Sequence, residues 1–429
     1  SRSRRAGGGV VMSWYDSWPA IEAVALCDDP PDRALARATP AVRVMLEGAL
    51  AGRELTVGEC ERLLGVGGDD LVALVRAADA ARASDVGDVV TYVVNRNINF
   101  TNVCFVNCKF CAFKRQRWEE DAYTHGVDVV LGKVDDAIAR GATEVCMQGG
   151  INPDMSPFTY RDILVAIKQR HPALHVHAFS PMEIMYGSRR TGMPYPEYIG
   201  MLRDGGLGSI PGTAAEILDD DVREILSHKK VDVATWVEII TTAHRLGVPT
   251  TSTVMYGHIE TSGHIARHLE LIRTLQKETR GFTEFVPLGF IWEQTSLYQE
   301  GLVTPQPKGL RDLRIYAVSR LFLRGWIDNI QTSWVKLGHR LAQLSLRTGC
   351  NDFGGTLMEE SISREAGADA GEYTSVEEIE TLVRAMGRVP AQRTTLYGRI
   401  GESGGPHDHH GARGWSGRRP LPAGPVAAH

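Results

Sequence analysis

The sequence predicts an α/β protein: a (β/α)8 TIM-type barrel preceded by a small helical N-terminal domain. Three observations carry this reading. Up to about residue 88 the apolar residues recur at helical spacing. From Val89 onward, short apolar runs alternate with helix-length amphipathic segments. Such an alternation implies parallel strands, because each return to the sheet crosses over a helix. Eight units of this kind suit a closed barrel. A doubly wound open sheet is the alternative, but no G-x-G-x-x-G follows the first expected strand.

Taken in order, residues 1–12 are expected to be disordered. Their basic residues precede no apolar run, so they do not read as a secretory signal. Residues 13–88 form the helical domain. "LTVGECERLLG" opens on a capping box, Thr56 with Glu59, and stops at Gly65. "DDLVALVRAADAARA" carries its acidic residues in the first turn, where the helix dipole favours them. The barrel is expected over 89–397. Its strands are predicted at 98–103, 144–147, 174–179, 207–210, 250–255, 283–287, 328–332 and near 351–355. Helices are predicted between them at 127–140, 160–170, 196–204, 214–227, 234–246, 265–279 and 308–323. His244 and His268 fall in these helical patterns and are read as surface residues. "SVEEIETLVRAMG" is a late helix capped by Ser375. Residues 398–429, rich in Gly, Pro, Arg and His, read as a disordered tail.

Composition narrows the function. Of 429 residues, 43% are hydrophobic and 23% charged, so a core forms without disulfide staples. A net charge of −5 argues against a nucleic-acid partner. No apolar run approaches the roughly 20 residues of a membrane span. A cytoplasmic protein is expected. The chain has 7 cysteines, and Cys27, Cys60, Cys146 and Cys350 are isolated, as small buried hydrophobes in a reducing compartment are.

The other three are clustered. "TNVCFVNCKFCAF" holds Cys104, Cys108 and Cys111 in a C-x3-C-x2-C spacing. Structural zinc needs four ligands, and no second pair of cysteines or histidines is nearby. A [4Fe–4S] cluster held by three thiolates instead leaves one iron without a protein ligand, which is where chemistry occurs. The loop follows the first expected strand and so lies at the C-terminal mouth, where barrel enzymes keep their active sites.

This spacing, with aromatic Phe110 before the last cysteine, resembles the radical S-adenosylmethionine (SAM) superfamily. The resemblance implies that Cys104, Cys108 and Cys111 bind the cluster and that SAM chelates the open iron. Reductive cleavage of SAM would then yield a 5′-deoxyadenosyl radical. Gln148, Gly149 and Gly150 follow the second expected strand, and the resemblance places them against the methionyl end of SAM. Paired glycines also allow backbone to come close to a ligand.

Longer blocks are more specific. "RNINFTNVCFVNCKFCAF", "GATEVCMQGGINP", "HVHAFSPMEI", "IPGTAAEILDDDVREIL", "TTAHRLGVPTTSTVMYGHIE", "RGFTEFVPL", "IQTSWVKLG" and "NDFGGTLMEESIS" together resemble the FO synthase subunit 2 family. These are tyrosine-dependent 4-hydroxyphenyl transferases of deazaflavin biosynthesis. The resemblance implies cleavage of L-tyrosine at Cα–Cβ, leaving 2-iminoacetate. It also implies transfer of the 4-hydroxybenzyl fragment to 5-amino-6-(D-ribitylamino)uracil. A second radical SAM enzyme, FO synthase subunit 1, and an electron donor are the implied partners.

Polar residues at strand ends are the candidate contacts. His177, Ser180 and Glu183 follow the third expected strand, Thr213 and Glu216 the fourth, Tyr256, His258 and Glu260 the fifth, and Gln331, Ser333 and Lys336 the seventh. His177, Glu183 and His258 are the candidate proton-handling residues. Phe110, Gln148, Gly149, Gly150, Ser180 and Glu216 are the candidate cofactor contacts. One block departs from the family: after "EFVPL" the usual Pro-Phe-x-His is replaced by Gly289-Phe290-Ile291-Trp292. Two other readings remain at this point. One is a radical SAM enzyme of the futalosine route to menaquinone, a cyclase or aminofutalosine synthase. The other is a non-enzymatic metal-binding module.

Overall fold

Helical spacing gives way to strand at Gly87, whose φ of 72° ends the preceding helix in a conformation that favours glycine. The computed structural model describes residues 15–368 and 370–401. The expected disordered end 1–12 and residues 402–429 of the tail lie outside them. Five helices come first: α1 (Trp18–Ala25), α2 (Pro31–Arg37), α3 (Pro40–Leu50), α4 (Val57–Leu63) and α5 (Gly68–Val86). The capping box forms at α4, where Thr56 and Glu59 satisfy each other's backbone N–H groups. The buried faces of α3, α4 and α5 join one continuous hydrophobic core with the rest of the chain.

The strands are β1 (Val89–Val93), β2 (Asn95–Ile98), β3 (Glu144–Met147), β4 (His175–Ala178), β5 (Thr250–Tyr256), β6 (Phe282–Gly289), β7 (Asp352–Gly355) and β8 (Val389–Gln392). Between β2 and β6 lie α6 (Val127–Ala139), α7 (Thr159–Arg170), α8 (Pro181–Thr191), α9 (Tyr195–Asp204), α10 (Asp220–Ser227), α11 (Val233–Arg245) and α12 (Ser262–Thr279). Two more, α13 (Ser296–Gln299) and α14 (Leu310–Phe322), follow β6.

The ladder is parallel and closes on itself. β2 pairs with β3, β3 with β4, β5 with β6, and β7 returns to β1. The two missing links are single bridges: Ser209 and Ile210 join β4 to β5, and Ile330 and Gln331 join β6 to β7. With β1 and β2 as one interrupted strand, this ring is the eight-membered barrel, and the open-sheet alternative is set aside.

Several expected boundaries move. The first strand occupies 89–98, not 98–103. Thr91, Asn95 and Asn97 interrupt its apolar run, and beyond Ile98 the chain leaves the ladder as the Thr101 hydroxyl bonds the Tyr123 carbonyl at 2.8 Å. The helix expected at 214–227 begins only at Asp220, capped by Asp219. Upstream, Ala214 and Glu216 take left-handed φ values of 61° and 41°. The buried Arg223 guanidinium reaches back to the Ala214 and Ala215 carbonyls and fixes that irregular loop. His268 is fully buried rather than at the surface: Nδ1 accepts from Leu218 N–H and Nε2 bonds the Thr253 carbonyl. α8 and β8 were not anticipated. β8 runs parallel to β1, Val89 opposite Val389. Residues 398–400, assigned to the tail, fold back on it, with Ile400 N–H bonding the Gln392 carbonyl.

Candidate active site

The cysteine loop forms one wall of a cavity of about 250 Å³ at the C-terminal mouth of the barrel. Its irregular backbone is tied down at both ends. Cys104 N–H bonds the Arg115 carbonyl, and Lys109 N–H bonds the Leu226 carbonyl at the end of α10. The Arg115 guanidinium gathers the Ala112, Phe113 and Lys114 carbonyls through one nitrogen, at 2.9–3.3 Å. It is itself paired with Asp121 and Glu365. Burial pushes the Cys108 thiol up to about 12 and raises Cys111 as well, so a metal must displace those protons to bind. Among the described residues no three Cys, His, Asp or Glu side chains converge on a point that one ion would fill. A cube takes each thiolate at a different iron.

Gln148, Gly149 and Gly150, leaving β3, form the adjoining wall. Their glycines serve the chain itself. A Cβ at Gly149 would lie 2.6 Å from the Phe100 ring, and one at Gly150 only 2.2 Å from the Val103 carbonyl oxygen. Gly150 N–H in turn bonds the Thr101 carbonyl at 2.8 Å. The close approach expected of a ligand is thus, first, the approach of the cysteine loop.

Ser180 and Glu183 enter from α8, whose N-terminal capping box they make. The Glu183 carboxylate accepts from Ser180 N–H at 2.6 Å, Ser180 Oγ at 2.7 Å and Gly149 N–H at 3.0 Å. It is 1% exposed, and burial raises its pKa to about 7 despite those three bonds. Glu216 also lines the cavity. Its Oε1 pairs with Lys230 Nζ at 2.6 Å, while its buried Oε2 makes no hydrogen bond and lies 3.5 Å from Arg223. Lys230 also sits 5.0 Å above the Phe110 ring. Burial works against its charge, but Glu216 and Cys108 hold it above its ordinary range.

The structure therefore brings Cys104, Cys108, Cys111, Phe110, Gln148, Gly149, Gly150, Ser180, Glu183 and Glu216 around one cavity. It does not bring His177 or His258 to that lining. His258 was expected to handle protons, yet both ring nitrogens serve its own loop: Nε2 bonds the Met255 carbonyl at 2.9 Å and Nδ1 accepts from Ile259 N–H at 2.7 Å. Burial lowers its pKa, which keeps it neutral and favours that acceptor role over pairing with Glu260 at 3.1 Å. His177 lies deeper in the barrel, with Nδ1 on Ser209 Oγ at 2.6 Å. Trp292 packs edge-on against Tyr298, while Gly289, Phe290 and Ile291 line the cavity. Lys336, a strand-end candidate, also lines the cavity, whereas Lys230 was missed. Lys230 stands in a polar stretch, and no spacing ties it to the cysteines.

The site fits the implied groups. Three thiols share one wall, a buried Glu216 oxygen makes no hydrogen bond, and Val106, Ile151, Met182 and Leu288 supply apolar lining.

Comparison with known proteins gives the family. Residues 98–272 match the Radical SAM superfamily, and 279–402 match the CofH/MqnC C-terminal region. The 5-amino-6-(D-ribitylamino)uracil–L-tyrosine 4-hydroxyphenyl transferase of Methanothermobacter thermautotrophicus is 49% identical over 346 residues, 81% of this chain and 94% of that protein. The one from Methanocaldococcus jannaschii is 49% identical over 76% of this chain and 91% of its own. The FO synthase of Streptomyces avermitilis is 47% identical over 90% of this chain, which spans only 44% of that longer protein. Among solved structures, methylornithine synthase (PylB) aligns with a TM-score of 0.63 at 19% identity, over 81% of this chain and 97% of its own. The FeFe-hydrogenase maturase HydG from Carboxydothermus hydrogenoformans aligns at 0.65 and 12% identity, over 88% and 86%. At such identities the likeness is one of fold.

Proposed function

Because the chain belongs to the family of 5-amino-6-(D-ribitylamino)uracil–L-tyrosine 4-hydroxyphenyl transferases within the radical SAM superfamily, we propose that it cleaves L-tyrosine and joins the 4-hydroxybenzyl fragment to 5-amino-6-(D-ribitylamino)uracil. The observation that carries the reading is 49% identity over 94% of a transferase of that name. Relatives bearing the transferase and FO synthase names favour it over the futalosine-route alternatives.

Cys104, Cys108 and Cys111 would hold the [4Fe–4S] cluster, which with SAM supplies a hydrogen-abstracting 5′-deoxyadenosyl radical. The residues around it bind, orient and exclude water. Glu183 and the Gly149 backbone brace the wall beside the cluster, and a carboxyl with a pKa of about 7 is able to take or give a proton near neutrality. The Glu216 oxygen that makes no hydrogen bond would accept one from a hydroxyl or ammonium group of SAM. Phe110 and the apolar lining keep water from a radical. The chain spans 44% of the length of the fused FO synthase. In this reading FO synthase subunit 1 closes the ring, and an external reductant feeds the cluster. All seven cysteines are free, which suits a cytoplasmic enzyme.

The test is anaerobic incubation of the reduced protein with SAM, tyrosine and the diaminouracil. A coupled adduct is expected with deoxyadenosine. Deoxyadenosine without adduct overturns the transferase, and zinc without sulfide in the purified protein would reinstate the metal-binding module.

A further inference from the structure

Beneath the mouth, the barrel interior holds a chain of hydrogen bonds that the cofactor site leaves unused. His177 Nδ1 lies 2.6 Å from Ser209 Oγ, and the same oxygen lies 2.7 Å from His175 Nε2. His175 and His177 alternate on β4, so both rings face one side of the sheet with His175 nearer the N-terminal end of the barrel. Ser209 sits on the neighbouring segment, bridged to His177. The geometry is built for the ring: a Cβ at Gly208 would lie 2.6 Å from His175 Cε1 and 2.8 Å from its Nε2. His175 is half-buried and reaches solvent, whereas His177 is 7% exposed. Of the two His177 ring nitrogens, only Nδ1 has a hydrogen bond among the described residues.

One hydroxyl between two imidazoles has a definite polarity. It donates its single hydrogen to one ring and accepts from the other. In one arrangement His177 donates through Nδ1–H to Ser209, Ser209 donates to His175 Nε2, and His177 Nε2 carries a lone pair. A proton arriving at Nε2 moves Nδ1–H to Ser209 and the Ser209 hydrogen to His175. The chain then holds with reversed polarity, and one proton has crossed it.

The proposed reaction requires such a transfer. Tyrosine enters as an ammonium with three N–H bonds, and 2-iminoacetate leaves as a neutral imine with one. Two hydrogens must leave the nitrogen. The deoxyadenosyl radical takes one as an atom. As Cα–Cβ breaks, one electron of that bond completes C=N and the other stays on the 4-hydroxybenzyl fragment. The second hydrogen must depart as a proton.

Resting on the function proposed above, we propose that His177, Ser209 and His175 form a proton wire that takes up this proton below the reaction cavity and carries it toward the N-terminal end of the barrel. The surroundings suit it. Burial lowers the His177 pKa, so the ring starts neutral; Arg393 adds to the lowering and Glu144 opposes it. Glu144, whose own carboxyl accepts from Asn95 at 2.8 Å, is the nearby anion that stabilises the transient imidazolium. Cys146, opposite His177 in the ladder, stays protonated because burial raises its thiol. Glu284 and Tyr397 pair with each other beyond Arg393.

The test uses the reduced, cluster-loaded full chain with SAM, tyrosine and the diaminouracil, followed from pH 6.5 to about 9.5. S209A and H175F are expected to lower kcat at least about tenfold near pH 7 without changing KM for tyrosine. Their rates should climb with pH and approach the wild type at the alkaline end of that range, as the free substrate's α-ammonium group sheds its proton in solution. S209T, which keeps the hydroxyl, should restore the wild-type profile. Iron content and SAM cleavage without tyrosine serve as controls for folding. Wild-type kinetics in both S209A and H175F, or losses by one constant factor at every pH, overturn the wire. A wild-type protein that leaves tyrosine intact overturns the function instead.

Discussion

Gly150 is the point where the cysteine loop and the strand-end loop touch. Substituting alanine there places a Cβ 2.2 Å from the Val103 carbonyl oxygen, 2.7 Å from its carbon and 3.0 Å from Cys104 Cβ. Ordinary contact begins near 3.4 Å, so the loop must retreat by about 1 Å. The obstacle is backbone, not the end of a flexible side chain. Overpacking of this kind costs about 1–3 kcal/mol, or a few degrees in Tm for a chain of this length. The functional cost is larger, because Cys104 moves with Val103, and a 1 Å misplacement near a reacting centre costs on the order of 100-fold in rate. G150A should therefore unfold slightly earlier while losing most of its iron and sulfide or about 100-fold in deoxyadenosine formation. G132A is the control: nothing lies within 4 Å of that position in α6, and it should gain about 0.5–1 kcal/mol. Full iron content and a wild-type rate in G150A would refute the argument that this contact sets the thiol positions.

Lys230→Met removes the ammonium from a buried pair with Glu216 and should cost about 3–5 kcal/mol in denaturant unfolding; adding Glu216→Gln should recover much of it, and equal stability of the single variant and the parent sinks the idea. Glu183 has a folded pKa of about 7 against an ordinary 4.5, so the folded state holds its proton more tightly. Its contribution is complete below 4.5 and is lost as pH rises through 7, roughly 3 kcal/mol in all. The stability difference between the parent and Glu183→Gln should accordingly shrink or reverse between pH 5 and 8, and a pH-independent difference contradicts the shift. His258→Gln should cost about 1–2 kcal/mol through its two backbone bonds yet leave the pH profile of kcat in place; a lost limb of that profile returns His258 to catalysis. Arg393→Met strips Asp352 of a bidentate partner at 2.5 and 3.1 Å and should lower Tm by several degrees while leaving iron content intact.

Local signals were legible where the chemistry is local. The C-x3-C-x2-C loop, the Thr56 and Ser375 caps and most outer helices depend on residues within one or two turns. The helix at 214–227 misled because its pattern is helical as far back as Ala214, while the distant demand of Arg223 for the Ala214 and Ala215 carbonyls holds that part open. The first strand was displaced because Asn95 and Asn97 break the apolar run used to find strands, although a parallel partner on β3 fixes the register. Lys230 carries no spacing signal at all, since its partners Glu216 and Phe110 are brought to it by the fold.

By itself, the sequence determined the barrel, the helical lead-in and the three thiols, because periodicity and close spacing are properties of a short stretch of chain. Only the tertiary structure decided which strand-end residues meet. Glu183 reaches the cavity because α8 starts there, and His258 does not because its own loop takes both nitrogens. The same holds for the glycines of "CMQGGI": a strand followed by two glycines is visible in the sequence, but the Phe100 ring and the Val103 carbonyl that fill the missing Cβ space belong to a segment more than forty residues earlier. A hydrogen bond or a steric gap requires two partners, and distance along the chain says nothing about which pair the barrel closes into contact.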